Sequence, residues 1–425
     1  MDASLARLVE EIGYEDYGTL ARQYEAARIL QKTQGSPKAA LFQVEGADGR
    51  SVGNVVDTRE KLYKALRVTS DEDAYKKLLE ALESPGELKR VGMPGGYREA
   101  SRGLLSLPAV KFYERDGGLY LTSSLFIACY RGICNASIHR IMVVGEREGR
   151  VRIVPRHLWA LYTSARERGE RLPVTIVVGV HPAVLLASAS TPRLGVFELE
   201  AASKLIGGLE VFDSPVHGNP VPVGAAAVVE GWLEPRMEPE GPFADALLLY
   251  DKVRRQPVLS VEKVLVNTDE YTHVILGGGL EHAMLMGFPR EAQIWAAVSK
   301  VVRRVHKVRV TPASGGWLHA VLSVEKNHPG DGKNAIIAAF AAHPSLKHVV
   351  VVDPDIDVDD PAMVEWAIAT RFQADRDLVV ISNVRGSTLD PSGSEGFTSK
   401  MGLDATIPDP NRAGDFERAR IPGGG

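Results

Sequence analysis

Apolar positions in the first hundred residues recur at helical spacing, in Leu5, Leu8, Val9 and Ile12 and again from Ala74 to Leu88. This predicts amphipathic helices, in a region that carries no convincing chemistry. After the Gly-rich connection at 92–97 the pattern changes. From Pro108 to about Val264, short β-branched segments are bounded by Gly, Pro or charge: "RIMVVGE", "VRIVP", "VTIVVGV", "GAAAVVEG" and "DALLLYD". They read as strands of a compact barrel or sandwich, with helical stretches inserted at Trp159 to Glu167 and Leu199 to Leu205. The segment from Leu280 reads as two helices broken at Gly287 to Pro289. Strands then alternate with helices from Lys307 to Ile381, which implies an open α/β layer. The tail from Val384 onward is rich in Gly, Ser, Asp and Pro and has no period; it is expected to be disordered or packed across a neighbouring domain or subunit.

A chain of 425 residues is too long for one hydrophobic core, so we divide it into residues 1–100, 101–305 and 306–425. The formal charge of -4 gives no polyelectrolyte signature and argues against nucleic acid as a partner. The longest apolar runs are too short or too interrupted to cross a bilayer and nothing near Met1 resembles a signal peptide, so no membrane association and a cytoplasmic location are expected. Cys129 and Cys134 lie in a segment reading as core, without zinc or redox spacing, and are expected to be buried free thiols.

Against this background several polar residues stand out. Asn135, read as preceding a strand, offers an amide oxygen to a hard cation, and Ser137 with the backbone at Ile138 can bind a phosphate or a ring edge. His157, after Arg156 at a strand-to-helix joint, and Glu198 add a nitrogen and an oxygen ligand. That donor set suits manganese or magnesium better than zinc, because thiolates are absent. Ala187, Ser188 and Ser190 could hold a monovalent cation or form only a Ser-rich turn. Arg140 can clamp a carboxylate. Glu240 beside it would stay ionised and orient the guanidinium, and Asp245, past the Gly241-Pro242 turn, could exchange a proton with carbon. Lys400 and Arg385 are candidate phosphate or carboxylate partners. The glycine run at Gly277 to Gly279 lacks the spacing of a dinucleotide fingerprint, and no phosphate-binding P-loop occurs.

The stretches "NASIHR", "RHL", "EGPFAD", "GGLEHAMLMGFPREA", "DPDIDVDDPAMVEWAIATRFQADRD", "GSTLDP" and "SKMGLDAT" resemble the UbiD family of prenylated-flavin-dependent decarboxylases over nearly the whole chain. The resemblance implies a mixed α/β fold with a central split β-barrel of flavin-reductase type flanked by α/β regions, assembled as a homodimer or larger oligomer. It implies that Asn135, His157 and Glu198 bind manganese gripping the phosphate of prenylated FMN, with a potassium-like ion near Ala187, Ser188 and Ser190. Ser137, Ile138, Arg156 and Lys400 would surround the cofactor, supplied by a flavin prenyltransferase, and Arg140, Glu240 and Asp245 would form the acid-base set. Many members carry Glu where this chain has Asp245.

The compact chain further resembles archaeal members assigned to a modified mevalonate route, which convert trans-anhydromevalonate 5-phosphate to isopentenyl phosphate. Arg193, Arg385 or Lys400 would then anchor the substrate phosphate. A 4-hydroxybenzoate-type acid is the alternative substrate, and a noncatalytic flavin- or metal-binding scaffold the alternative class.

Overall fold

The computed structural model describes residues 3–193, 195–394 and 396–419. Six strands form a closed barrel: β1 (Leu119–Tyr130), β2 (Ile133–Val143), β3 (Glu148–Val151), β4 (Leu172–Val178), β5 (Ala227–Glu240) and β6 (Arg254–Asn267). Their order is β5-β4-β1-β2-β3-β6, every neighbouring pair is antiparallel, and β6 pairs back onto β5. Closure leaves these strands without the exposed edges of an open sheet. Phe126, Ile141, Val151, Ile176, Val229 and Leu259 pack together in the buried core. Three helices are inserted between strands: α1 (His157–Arg166), α2 (Pro182–Ala189) and α3 (Glu198–Ile206).

The mixed α/β architecture is as expected, and the barrel is closed. Local boundaries differ in instructive ways. Asn135 lies inside β2, opposite Ala128 of β1, and does not precede the strand. "DALLLYD" is mostly a loop, with only Tyr250–Asp251 in a short strand. Cys129 and Cys134 are joined in a disulfide and are not free thiols. Arg131 and Gly132, both at positive φ, make the two-residue hairpin turn that sets these cysteines directly opposite each other.

The chain clusters into two compact units, 1–289 and 290–425. In the first, the N-terminal region contributes strands Tyr14–Leu20, Ala39–Val44 and Arg50–Gly53 to a sheet completed by Tyr271–His273, which follows the barrel in sequence. Leu5, Leu8, Val9 and Ile12 form the buried face of a helix that Ser4 caps through the Arg7 N–H. The segment from Leu280 is one helix, α4 (Leu280–Val298), and the expected break at Gly287 to Pro289 is absent. Proline removes one intrahelical N–H bond, and here that loss does not end the helix.

The second unit holds a sheet ordered β7-β8-β9-β11-β10: β7 (Arg304–Val310), β8 (His319–Glu325), β9 (His348–Val352), β10 (Leu378–Arg385) and β11 (Phe397–Ala405). β8, β9 and β11 are parallel; β7 and β10 run antiparallel at the edges. The tail read as irregular therefore supplies an interior strand. Its inward positions are Lys400, Gly402 and Asp404, too polar and too small to register as a hydrophobic alternation. Gly402 is required there, because a Cβ would sit 2.2 Å from the Ile336 side chain.

Candidate active site

Strand β2 organises the site. Its pleat sends odd and even residues to opposite faces. Asn135, Ser137 and His139 share the face on which Ile141 and Val143 join the barrel core, while Arg140 and Met142 take the other. One strand thereby serves two polar clusters.

In the first cluster, Glu198 begins α3 and is buried. Asn135 Nδ2 donates to its Oε1 at 2.8 Å, the Ala136 N–H donates to its Oε2 at 2.7 Å, and His157 Nδ1, at the first turn of α1, stands 3.5 Å from Oε1. Burial raises the Glu198 pKa against the bond from Ala136 and the nearby His157. Such a carboxylate, short of positive charge, fits a cation. Among the described residues no group of three or more His, Cys, Asp or Glu gathers as a metal site; this set has two of those types, and a third donor would have to be the Asn135 oxygen.

The second cluster surrounds Arg140, whose Nε and Nη2 donate to Glu240 Oε1 and Oε2 at 2.8 and 2.9 Å. This forked pair commits one edge of the guanidinium to the protein. The remaining Nη1 stands 3.8 Å from Asp245 Oδ2, and the guanidinium stacks over Phe243 at 4.5 Å from the ring centre. Burial works against the Arg140 charge, but the Glu240 bonds and the charges of Asp245 and Asp251 outweigh it and its pKa is raised. Glu240 is fully buried, whereas the Asp245 side chain keeps 26% of its surface accessible. The structure thus joins Arg140, Glu240 and Asp245 as read from sequence.

Two residues of this cluster escaped the sequence reading. Asp251 takes hydrogen bonds from Arg140, Arg152 and Arg254. Burial would raise its pKa, but Arg152, Arg140 and Arg254 together lower it. His282, on the first turn of α4, accepts the Gly278 N–H at Nδ1; burial lowers its pKa, opposed by the Asp245 charge and reinforced by that of Arg140. Its signal was present in "GGLEHAM". The glycine run before it has a steric purpose: a Cβ at Gly278 would lie 2.3 Å from the Leu248 side chain, and one at Gly277 would lie 3.0 Å from the Ala244 carbonyl. Gly278 also sits at φ +72°, where an L side chain is strained, so this turn beside the loop that carries Asp245 favours glycine.

The other expected residues lie on several elements. Arg156 precedes α1 and its Nη1 donates to Thr191 Oγ1 at 3.1 Å. Ser190 Oγ donates to the Leu186 carbonyl at 2.7 Å and its N–H to the Ala187 carbonyl, while the buried Ser188 Oγ has no hydrogen-bond partner among the described residues. Ile138 is half-buried in β2. Lys400 is buried on β11. It lies in the second unit, where its ammonium donates to the Pro344 and Leu346 carbonyls at 2.6 and 2.5 Å and rests over Phe340. Burial lowers its pKa to about 8, and two of its three N–H donors go to these carbonyls. Arg385 lies on β10 of the same unit.

Comparison with known proteins agrees with this architecture. Residues 96–280 match the 3-octaprenyl-4-hydroxybenzoate carboxy-lyase Rift-related domain, and residues 283–405 match the C-terminal domain of the same enzymes. The chain is 59% identical, over 99% of its own length and 97% of the other, to an anhydromevalonate phosphate decarboxylase of Aeropyrum pernix. Its structure is similar to that of the UbiD-class enzyme HmfF from Pelotomaculum thermopropionicum in complex with FMN, with TM-score 0.93 and 37% identity over 99% of this chain and 96% of that one. An evolved dimeric form of HmfF in complex with prenylated FMN gives TM-score 0.88 and 35% identity over the same shares. No helix among the described residues is long and apolar enough to cross a membrane. The chain belongs to the UbiD family of carboxy-lyases.

Proposed function

We propose that this protein is a prenylated-FMN-dependent decarboxylase that converts trans-anhydromevalonate 5-phosphate to isopentenyl phosphate and carbon dioxide, without net oxidation. The observation that carries the reading is the Arg140–Glu240 fork with Asp245 at the open corner of the guanidinium, in a chain 59% identical throughout to a protein of that activity. The bound flavin supplies an electron sink for the unsaturated acid, which no side chain here offers.

The residues of the chain provide orientation and a proton. Glu240 holds Arg140 in one pose, so its Nη1 edge is already placed to bind the substrate carboxylate and no reorganisation is needed on binding. The bond between carbon and carboxylate breaks, carbon dioxide leaves, and a C–H bond forms at the same carbon with the proton carried by Asp245. The partial exposure of Asp245 lets it recover a proton from solvent. Asn135 Oδ1, His157 and Glu198 would hold manganese or magnesium against the flavin phosphate, because the buried Glu198 lacks a full positive partner. The orphaned Ser188 Oγ suits a potassium ion beside Ala187 and Ser190. We further assign a flavin prenyltransferase as the source of the cofactor and a homodimer or larger assembly as the working state.

The test is to reconstitute the protein with prenylated FMN and offer anhydromevalonate phosphate and 4-hydroxybenzoate separately. Release of carbon dioxide with isopentenyl phosphate from the first is expected. Turnover of the aromatic acid alone would overturn the substrate assignment.

A further inference from the structure

Three polar residues at alternate positions of β2, Asn135, Ser137 and His139, form a hydrogen-bonded row whose proton positions can be deduced from donor and acceptor chemistry. A carboxylate only accepts, so Asn135 turns its NH2 to Glu198 at 2.8 Å, leaving Oδ1 to face the Ser137 hydroxyl at 2.9 Å. The same hydroxyl lies 2.8 Å from His139 Nε2. It has one proton and two neighbours that could take it. At the far side of the ring, His139 Nδ1 stands 3.1 Å from the Arg152 carbonyl. A carbonyl only accepts, so Nδ1 carries the hydrogen, and in a neutral imidazole Nε2 is then a bare acceptor. Burial pushes the His139 pKa down to about 4, against the Arg152 carbonyl bond and with the help of the Arg156 and Arg152 charges, which keeps the ring neutral. Phe126 packs edge-on against it, 5.4 Å between ring centres, and fixes its plane.

We propose that His139 is a positioning residue for the metal site: by accepting the Ser137 proton at Nε2 it leaves Asn135 Oδ1 without a donor, so the lone pairs of that amide oxygen are free to ligate a divalent cation. The inference rests on the metal reading given above and deepens it. His139 touches neither the cation nor the substrate; it acts through Ser137. Without it, the Ser137 hydroxyl turns to Asn135 Oδ1 and competes with the cation for that oxygen.

The experiment titrates the purified protein with Mn2+ in the presence of FMN, following free Mn2+ by electron paramagnetic resonance. His139→Phe removes the acceptor and is expected to weaken Mn2+ binding by roughly 10–100-fold, the range for residues that orient metal ligands. Adding Ser137→Ala to His139→Phe deletes the competing hydroxyl and restores most of that loss. A merely structural His139 would leave the double variant no tighter than the single, and that outcome, or an unchanged affinity in His139→Phe, overturns the proposal. Nitrogen-15 NMR of the metal-free wild-type protein guards against a variant that fails to fold. A His139 ring protonated at Nδ1 with a bare Nε2 supports the inference; the opposite tautomer or an imidazolium sinks it. A wild-type chain that takes up no Mn2+ with FMN overturns the metal reading itself, a failure distinguishable from the wrong tautomer.

Discussion

At the Glu198 end of the site, a buried carboxylate is met by two amide N–H donors and one half-exposed imidazole, its only ion-pair partner among the described residues. At the Arg140 end, the guanidinium groups of Arg140, Arg152 and Arg254 face the carboxylates of Glu240, Asp245 and Asp251, three charges against three. Both ends are fed by the same strand, Asn135 and Arg140 being five residues apart. Under the proposed function, this difference would separate a place for an ion from a place for chemistry. The first leaves charge uncompensated, so that a bound cation would relieve a cost already present. The second compensates its charge internally, so that Arg140 is held before the substrate arrives.

The sharpest break of this comparison comes at Asp245. Asp245→Asn keeps the loop and should retain cofactor while slowing carbon dioxide release by about 10²–10⁴-fold, the usual span for a lost proton donor; single-turnover assays of the reconstituted variant would check it. The next largest effect is at the other end, where Glu198→Gln should weaken Mn2+ binding by more than about 100-fold, beyond the range for groups that only orient a ligand. In the metal-free protein the same change should leave the urea midpoint unchanged or raised, since an undercompensated buried charge is removed. Glu240→Gln is its counterpart: an identical substitution that breaks a forked buried pair should cost on the order of 3 kcal/mol in urea unfolding. Equal effects at the two glutamates would dissolve the distinction. The smallest effect concerns Asp251. Its folded pKa lies below the ordinary 3.8, so its stabilising contribution is complete above that value and is lost as pH falls through the folded one. Acid unfolding of wild type and Asp251→Asn should therefore converge only at a pH below 3.8, with the wild type more stable at higher pH.

Much of the second cluster was legible because its residues sit on strong local signals. Glu240 and Asp245 flank a Gly-Pro turn in an apolar setting, and Arg140 is an isolated charge among β-branched residues. The alternation of Asn135, Ser137 and His139 was equally present but unread, because the strand was expected to begin after them. Ser137 and His139 look like loop residues until β1 is known to lie opposite. Asp251 is hidden for another reason: in sequence it reads as the end of an apolar strand, and only its contacts with Arg140, Arg152 and Arg254 show what it does. Lys400 is a different case. A lysine in a Gly/Ser-rich tail resembles a free phosphate ligand, yet β11 turns it inward onto two carbonyls.

The sequence by itself determined the alternation of apolar and polar residues that makes strands and helices where they occur, the family to which those segments are similar, and the residue types for a cation site and an acid pair. These are properties of short stretches, set by backbone periodicity and side-chain chemistry. Tertiary structure alone decided which edge of Arg140 is occupied, which nitrogen of His139 accepts, that Cys129 meets Cys134, and that Lys400 meets the Pro344 and Leu346 carbonyls. Each depends on strand register or on contacts between residues far apart in the chain, and a one-residue shift in pairing would turn every one of those side chains to the opposite face.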